Sequence, residues 1–76
     1  MDNSKEIQEL LDKLFTTLQS PIAHAYGYAE LAQHELRQPD GDLEQVDGDV
    51  RRVMVNLSRV LIYLQDFSEE YEQLKD

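Results

Sequence analysis

The side chains with reactive chemistry in this sequence are few: two histidines, a short run of hydroxyls and several carboxylates. A histidine attacks a phosphoryl or acyl centre through a neutral ring nitrogen, and a neighbouring carboxylate orients the ring and takes its proton. His34 is followed directly by Glu35, so it has that composition, whereas His24 has Tyr28 four residues on and only distant carboxylates. As a metal site His24 would need closer ligands, and none is expected there. Thr16, Thr17 and Ser20 lie within five residues, and a hydroxyl without a base beside it is a weak nucleophile. The run Asp40, Asp42, Glu44, Asp47, Asp49 invites a calcium reading, yet it lacks the twelve-residue loop order and terminal bidentate glutamate of an EF-hand. It fits a solvated helix start, where acids are favourable, and the tail Glu69, Glu70, Glu72 and Asp76 is expected to be solvated surface. No Cys is present, which removes thiolate metal sites, disulfides and thiol nucleophiles. The sequence predicts no metal and no cofactor.

The elements that must position these groups are bounded by size. Seventy-six residues at 41% hydrophobic make at most one small domain, close to the lower limit for an independent core, and a large active-site cavity is not expected. Sixteen acidic residues against seven basic ones give a formal charge of -9, which repels phosphate backbones and anionic lipid surfaces. No nucleic-acid binding is expected. The longest apolar run, Val60 to Leu64, is too short to span a bilayer, and the first residues are acidic and polar where a signal peptide would be basic and then apolar. The expectation is a cytoplasmic protein without membrane insertion.

Asn3 or Ser4 can cap a helix start, with Glu6 three residues after Asn3 as in a capping box. Apolar residues then fall at Ile7, Leu10, Leu11, Leu14, Leu18, Ile22, Ala25, Ala29, Ala32 and Leu36, in helical steps that pass through Pro21 without losing phase. This predicts one helix over about 4–37, kinked at the proline rather than ended by it. Gln38-Pro39-Asp40-Gly41-Asp42 is the break, and Asp42 can cap the next helix, over about 43–75. In that second segment Leu43, Val46, Val50, Val53, Leu57, Val60, Leu64, Phe67, Tyr71 and Leu74 alternate steps of three and four, a heptad seam. Met54, Leu61 and Ile62 widen it, and Gly48 weakens its start by about 1 kcal/mol relative to Ala. Two helices of about 50 Å joined by a short loop leave half of each apolar face uncovered. The fold class is therefore all-α: a two-helix antiparallel hairpin, one domain over 1–76, that dimerises into a C2 four-helix bundle. Its expected dimer core is Leu14, Leu18, Ile22, Ala25, Leu57, Val60, Leu64 and Phe67. Ala23, Ala25, Gly27, Ala29 and Ala32 make the middle of the first helix small-sided, for close helix approach, with Tyr26 and Tyr28 closing the gap.

Leu18-Gln19-Ser20-Pro21-Ile22 followed by Gly27-Tyr28-Ala29-Glu30-Leu31 resembles the first helix of the dimerisation and histidine-phosphotransfer domain of sensor histidine kinases. That family carries His-Glu-Leu-Arg-Thr-Pro-Leu and then Gly-Tyr-x-Glu-Leu. Asn56-Leu57-Ser58-Arg59-Val60 and Leu64-Gln65-Asp66-Phe67-Ser68 resemble its second helix, and the likeness covers nearly the whole chain. In this register Thr16 stands at the phosphoacceptor histidine position and Thr17 at the acidic position after it, while Ser20 matches the residue beside the proline. The family's ATP-binding domain has no counterpart in these residues. The resemblance implies a degenerate, non-catalytic, pseudo-kinase member that keeps the scaffold, has lost autophosphorylation and works by binding a two-component signalling partner. That partner would be a response-regulator receiver domain or a sensor kinase, docked on Thr16, Thr17, Gln19, Ser20 and Ala23. By helical geometry Thr16 points away from Leu14 and Leu18. His34-Glu35-Leu36-Arg37-Gln38-Pro39 is nearly a copy of the family motif displaced toward the C-terminus, but a break rather than a continuing helix follows it. The plainer alternative is a surface residue near a helix end, where His and Arg meet the carbonyl end of the dipole. Two other readings stay open: a purely structural homo-oligomer, and a phosphotransfer protein using His34 or His24.

Overall fold

The structure, a computed structural model, describes residues 3–75. It consists of two helices, α1 (Ser4–Arg37) and α2 (Leu43–Leu74), folded back on each other as a rod measuring 63 × 15 × 11 Å. The all-α hairpin follows the expected element bounds, and α1 runs unbroken through Pro21.

The hinge is built by Glu35. Its carbonyl accepts from Gln38 N–H at 3.2 Å, and its side-chain Oε1 accepts from Asp42 N–H at 2.8 Å. Asp42 in turn caps α2, its Oδ1 accepting from Glu44 N–H at 2.9 Å, as expected for an aspartate at a helix start. Gly41 is required here by space, because a Cβ at that position would overlap the Glu35 carbonyl. At the open end the expected capping box is absent. The Asn3 side chain makes no cap hydrogen bond, and its Nδ2 donates instead to the carbonyl of Leu74. That bond ties the start of α1 to the end of α2.

These two cross-links set the register. In the pairs Asn3–Leu74 and Glu35–Asp42 the residue numbers add to 77, so residue i of α1 stands level with residue 77 − i of α2. Leu10 is level with Phe67, Leu14 with Tyr63, Pro21 with Asn56 and Tyr28 with Asp49. The seam between the helices is formed by Ile7, Leu10, Leu14, Thr17, Pro21, Ala25, Tyr28, Ala32 and Glu35 on α1, all buried or half-buried. On α2 it is formed by Val46, Asp49, Val53, Asn56, Val60, Tyr63, Phe67 and Leu74.

This corrects the seam drawn from periodicity. Val46, Val53, Val60, Phe67 and Leu74 do face α1, but the alternate positions are taken by Asp49, Asn56 and Tyr63. Val50, Leu57 and Leu64, expected in the same seam, are exposed in the single hairpin. Asp49, expected in solvent, is 1% exposed, and Asn56 is 6% exposed. Asp49 is held by Arg52 Nη1 at 3.4 Å and by Gln45 Nε2 at 3.3 Å. Asn56 Nδ2 donates to the Arg52 carbonyl at 2.8 Å, while its buried Oδ1 has no partner. Pro21, level with Asn56, has no N–H to offer it.

Candidate functional site

The consequence of this seam is a division of the surface into two sides. Among the described residues fifteen large apolar side chains are exposed, and twelve of them form two rows, ten directly following a residue turned toward the other helix. On α1 these are Leu11, Phe15, Ile22, Tyr26 and Leu36, after Leu10, Leu14, Pro21, Ala25 and Glu35. On α2, Val50, Met54, Leu57, Leu61 and Leu64 follow Asp49, Val53, Asn56, Val60 and Tyr63 in the same way, with Leu43 and Tyr71 extending the row. One residue is a turn of about 100° around a helix. Seen from one end, that turn runs in opposite senses in two antiparallel helices, so both rows emerge on the same side of the hairpin.

This apolar side runs nearly the length of the rod. Phe15 and Tyr26, each 69% exposed, flank a groove on α1 lined also by Leu18, Gln19, Ile22 and Ala23. The one acid in the row, Asp47, is paired with Arg51 at 2.9 Å. Residues just before the seam positions mark the opposite side. Lys13 and Asp66, before Leu14 and Phe67, line a groove there together with Glu70 and the seam residues Thr17 and Tyr63, and Arg52 crosses from α2 to place its guanidinium carbon 5.6 Å from the centre of the Tyr28 ring, a cation–π contact.

The expected docking residues are split by this geometry. Thr16 and Ser20 are exposed, on the back of α1 toward the opposite side. Gln19 and Ala23 are exposed on the margin of the apolar groove. Thr17 is half-buried in the seam and lines the groove shared with Tyr63 and Phe67. Of the expected dimer core, Leu14, Ala25, Val60 and Phe67 lie in the seam of the single hairpin, and Leu18, Ile22, Leu57 and Leu64 lie on the apolar side. Periodicity did not single out Phe15 and Tyr26. Their signal was present in the dipeptides Leu14-Phe15 and Ala25-Tyr26, in which an apolar residue follows each seam residue.

His24 and His34 are both exposed, His34 in the last turn of α1 beside Arg37. Among the described residues no three His, Cys, Asp or Glu side chains gather as a metal-binding group, and no helix is long and apolar enough to cross a membrane. No family model matches the chain, and no curated protein or solved structure matches it.

Proposed function

We propose that this chain is a non-catalytic dimerisation and docking module, a four-helix bundle of two hairpins in the manner of the histidine-kinase dimerisation domain. The observation that carries this reading is the one-sided apolar surface. A monomer that, among the described residues, buries only Leu10, Pro21, Ala25 and Ala32 of its apolar side chains and exposes twelve large ones on a single side has its larger hydrophobic surface still in water. That side measures about 63 × 15 Å. Face-to-face pairing would bury on the order of 900 Å² per protomer, within the range of stable protein interfaces. A second copy fits because its side has the same length and is almost without charge, so the net charge of -9 stays on the outer faces of the bundle.

In the docking part of the proposal, a receiver domain or sensor kinase of a two-component system binds the outer surface of α1 around Thr16 and Ser20. A threonine in place of a nucleophilic histidine makes this a binding surface rather than a reactive one. Sedimentation equilibrium tests the dimer. The proposal expects a mass near twice 8.9 kDa at micromolar concentration, and a folded monomer at all concentrations would reject it. Receiver domains titrated against the native chain and against Ser20→Arg test the docking, which is rejected if binding is absent or unchanged by the substitution.

A further inference from the structure

We infer that the side of the hairpin opposite the apolar one takes an acidic, amphipathic helix from a partner protein. This rests on the docking reading above and adds the chemistry of what docks. Among the described residues, the three exposed large apolar ones that do not belong to the apolar side are Leu31, Val55 and Ile62. Each directly precedes a seam residue, Ala32, Asn56 or Tyr63, so all three turn toward the opposite side. Dimerisation leaves them uncovered. Val55 and Ile62 are two helical turns apart, about 10.5 Å, the spacing of anchors at i and i+7 on an incoming helix.

Charge on this side is segregated along the rod. The level stretches 14–27 and 50–63 contain no Asp or Glu; Arg52 and Arg59 stand there on this side, Arg51 is taken up by Asp47, and the acids gather toward the two ends. Arg59 lies between Val55 and Ile62 and makes no ion pair among the described residues. Arg52 is held by Asp49 through one nitrogen, and a guanidinium has five N–H donors. His24 is level with Val53 in the 77 − i register, beside Arg52. Asp66, one turn beyond Ile62, begins the acidic end and limits the site there. Charges separated by more than about 8 Å are largely screened at physiological ionic strength, so the acidic ends do not cancel the basic centre. Complementarity therefore selects a partner helix that presents carboxylates around a short apolar stripe.

Gly27 gives the same surface a recess. It sits inside a 34-residue helix, where glycine is unfavourable, yet a Cβ there would meet nothing within 4 Å. The chain's own packing does not require it. The missing side chain opens a shallow groove lined by Ala23, His24, Tyr28 and Leu31, into which one apolar side chain of the partner would seat.

The test uses a fluorescein-labelled helical peptide of about 18 residues, with leucines at i, i+3 and i+7 among glutamates, and an analogue with lysine for every glutamate. Anisotropy titrations of the full chain should show the glutamate peptide binding about tenfold or more tightly than the lysine peptide, and Arg59→Glu should remove that preference. Arg59→Gln, checked for helicity by circular dichroism, guards against misfolding and should weaken binding by a smaller factor. Equal or preferred binding of the lysine peptide, or no binding of either, overturns the inference. Loss of binding with Ser20→Arg but not with Arg59→Glu or Arg59→Gln overturns the acidic chemistry and leaves the docking surface standing.

Discussion

Arg52 stands over the Tyr28 ring of the other helix at 5.6 Å and at the same time holds the buried carboxylate of Asp49 at 3.4 Å. One side chain thus clips α2 to α1 and supplies the cation for an acid that is 1% exposed. Breaking a buried pair by removing one partner is costly because the other charge is left without compensation. Here Arg52 is 55% exposed, which moderates the loss. Arg52→Ala should lower the unfolding free energy by about 1–3 kcal/mol in urea titrations. Arg52→Lys should recover part of it, since an ammonium can reach the carboxylate but covers the ring less well.

Asn56 should respond in the opposite direction. Its Oδ1 is buried without a partner, level with a proline that cannot donate. Replacing a half-satisfied polar group by an apolar one of similar size removes a desolvation penalty. Asn56→Leu is expected to stabilise the protein by roughly 1 kcal/mol. It should also weaken the choice of register, read as slowed or heterogeneous unfolding kinetics, because a polar residue in an otherwise apolar seam opposes slipped pairings.

In the proposed dimer, pairing through the apolar side couples folding to association. With a seam interrupted by Asp49 and Asn56, the isolated hairpin has little core to stand on. The thermal midpoint should therefore rise with protein concentration. Leu61→Glu, at a residue 62% exposed in the single hairpin, should abolish the dimer and take most of the helical circular dichroism with it. A concentration-independent midpoint together with native helicity in Leu61→Glu would show that the hairpin stands alone.

The glycines separate space from propensity. Gly27→Ala places a methyl in open space and should raise stability by about 1 kcal/mol. Gly41→Ala would drive its methyl into the Glu35 carbonyl and open the hinge, with a lowered midpoint. The contrast is measurable in the same thermal scans.

Helix extents, the hinge and the Asp42 cap were legible in the sequence because Pro39, Gly41 and a capping aspartate punctuate it where the apolar phase stops. The division of faces was not. Steps of three and four connect Val46, Val53 and Val60 with Val50, Leu57 and Leu64 in one continuous seam. The hairpin rotates by one residue and takes Asp49 and Asn56 instead, and a hydrophobic pattern is blind to polar residues that are buried through local partners such as Arg52 and Gln45. Leu11, Leu18 and Leu36 were visible as apolar, yet their sidedness depends on the antiparallel register, which the Asn3 and Glu35 cross-links settle only in three dimensions. Thr16 and Ser20 are legible as exposed from the helical period, whereas Thr17, which the family register sets beside Thr16, turns inward.

The Asn3–Leu74 bond brings the two ends of the hairpin to one pole, and the hinge lies at the other end of a rod 63 Å long. For anyone attaching a fluorophore, a tag or a second domain, the molecule therefore has a handle and a tip. Attachments at either terminus share the handle and crowd one another, and in a side-by-side pair of hairpins pointing the same way four of them would meet there. A probe placed at Asp40 would ride alone at the tip, far enough from the handle for energy transfer between the two poles to report whether paired hairpins point the same way or opposite ways.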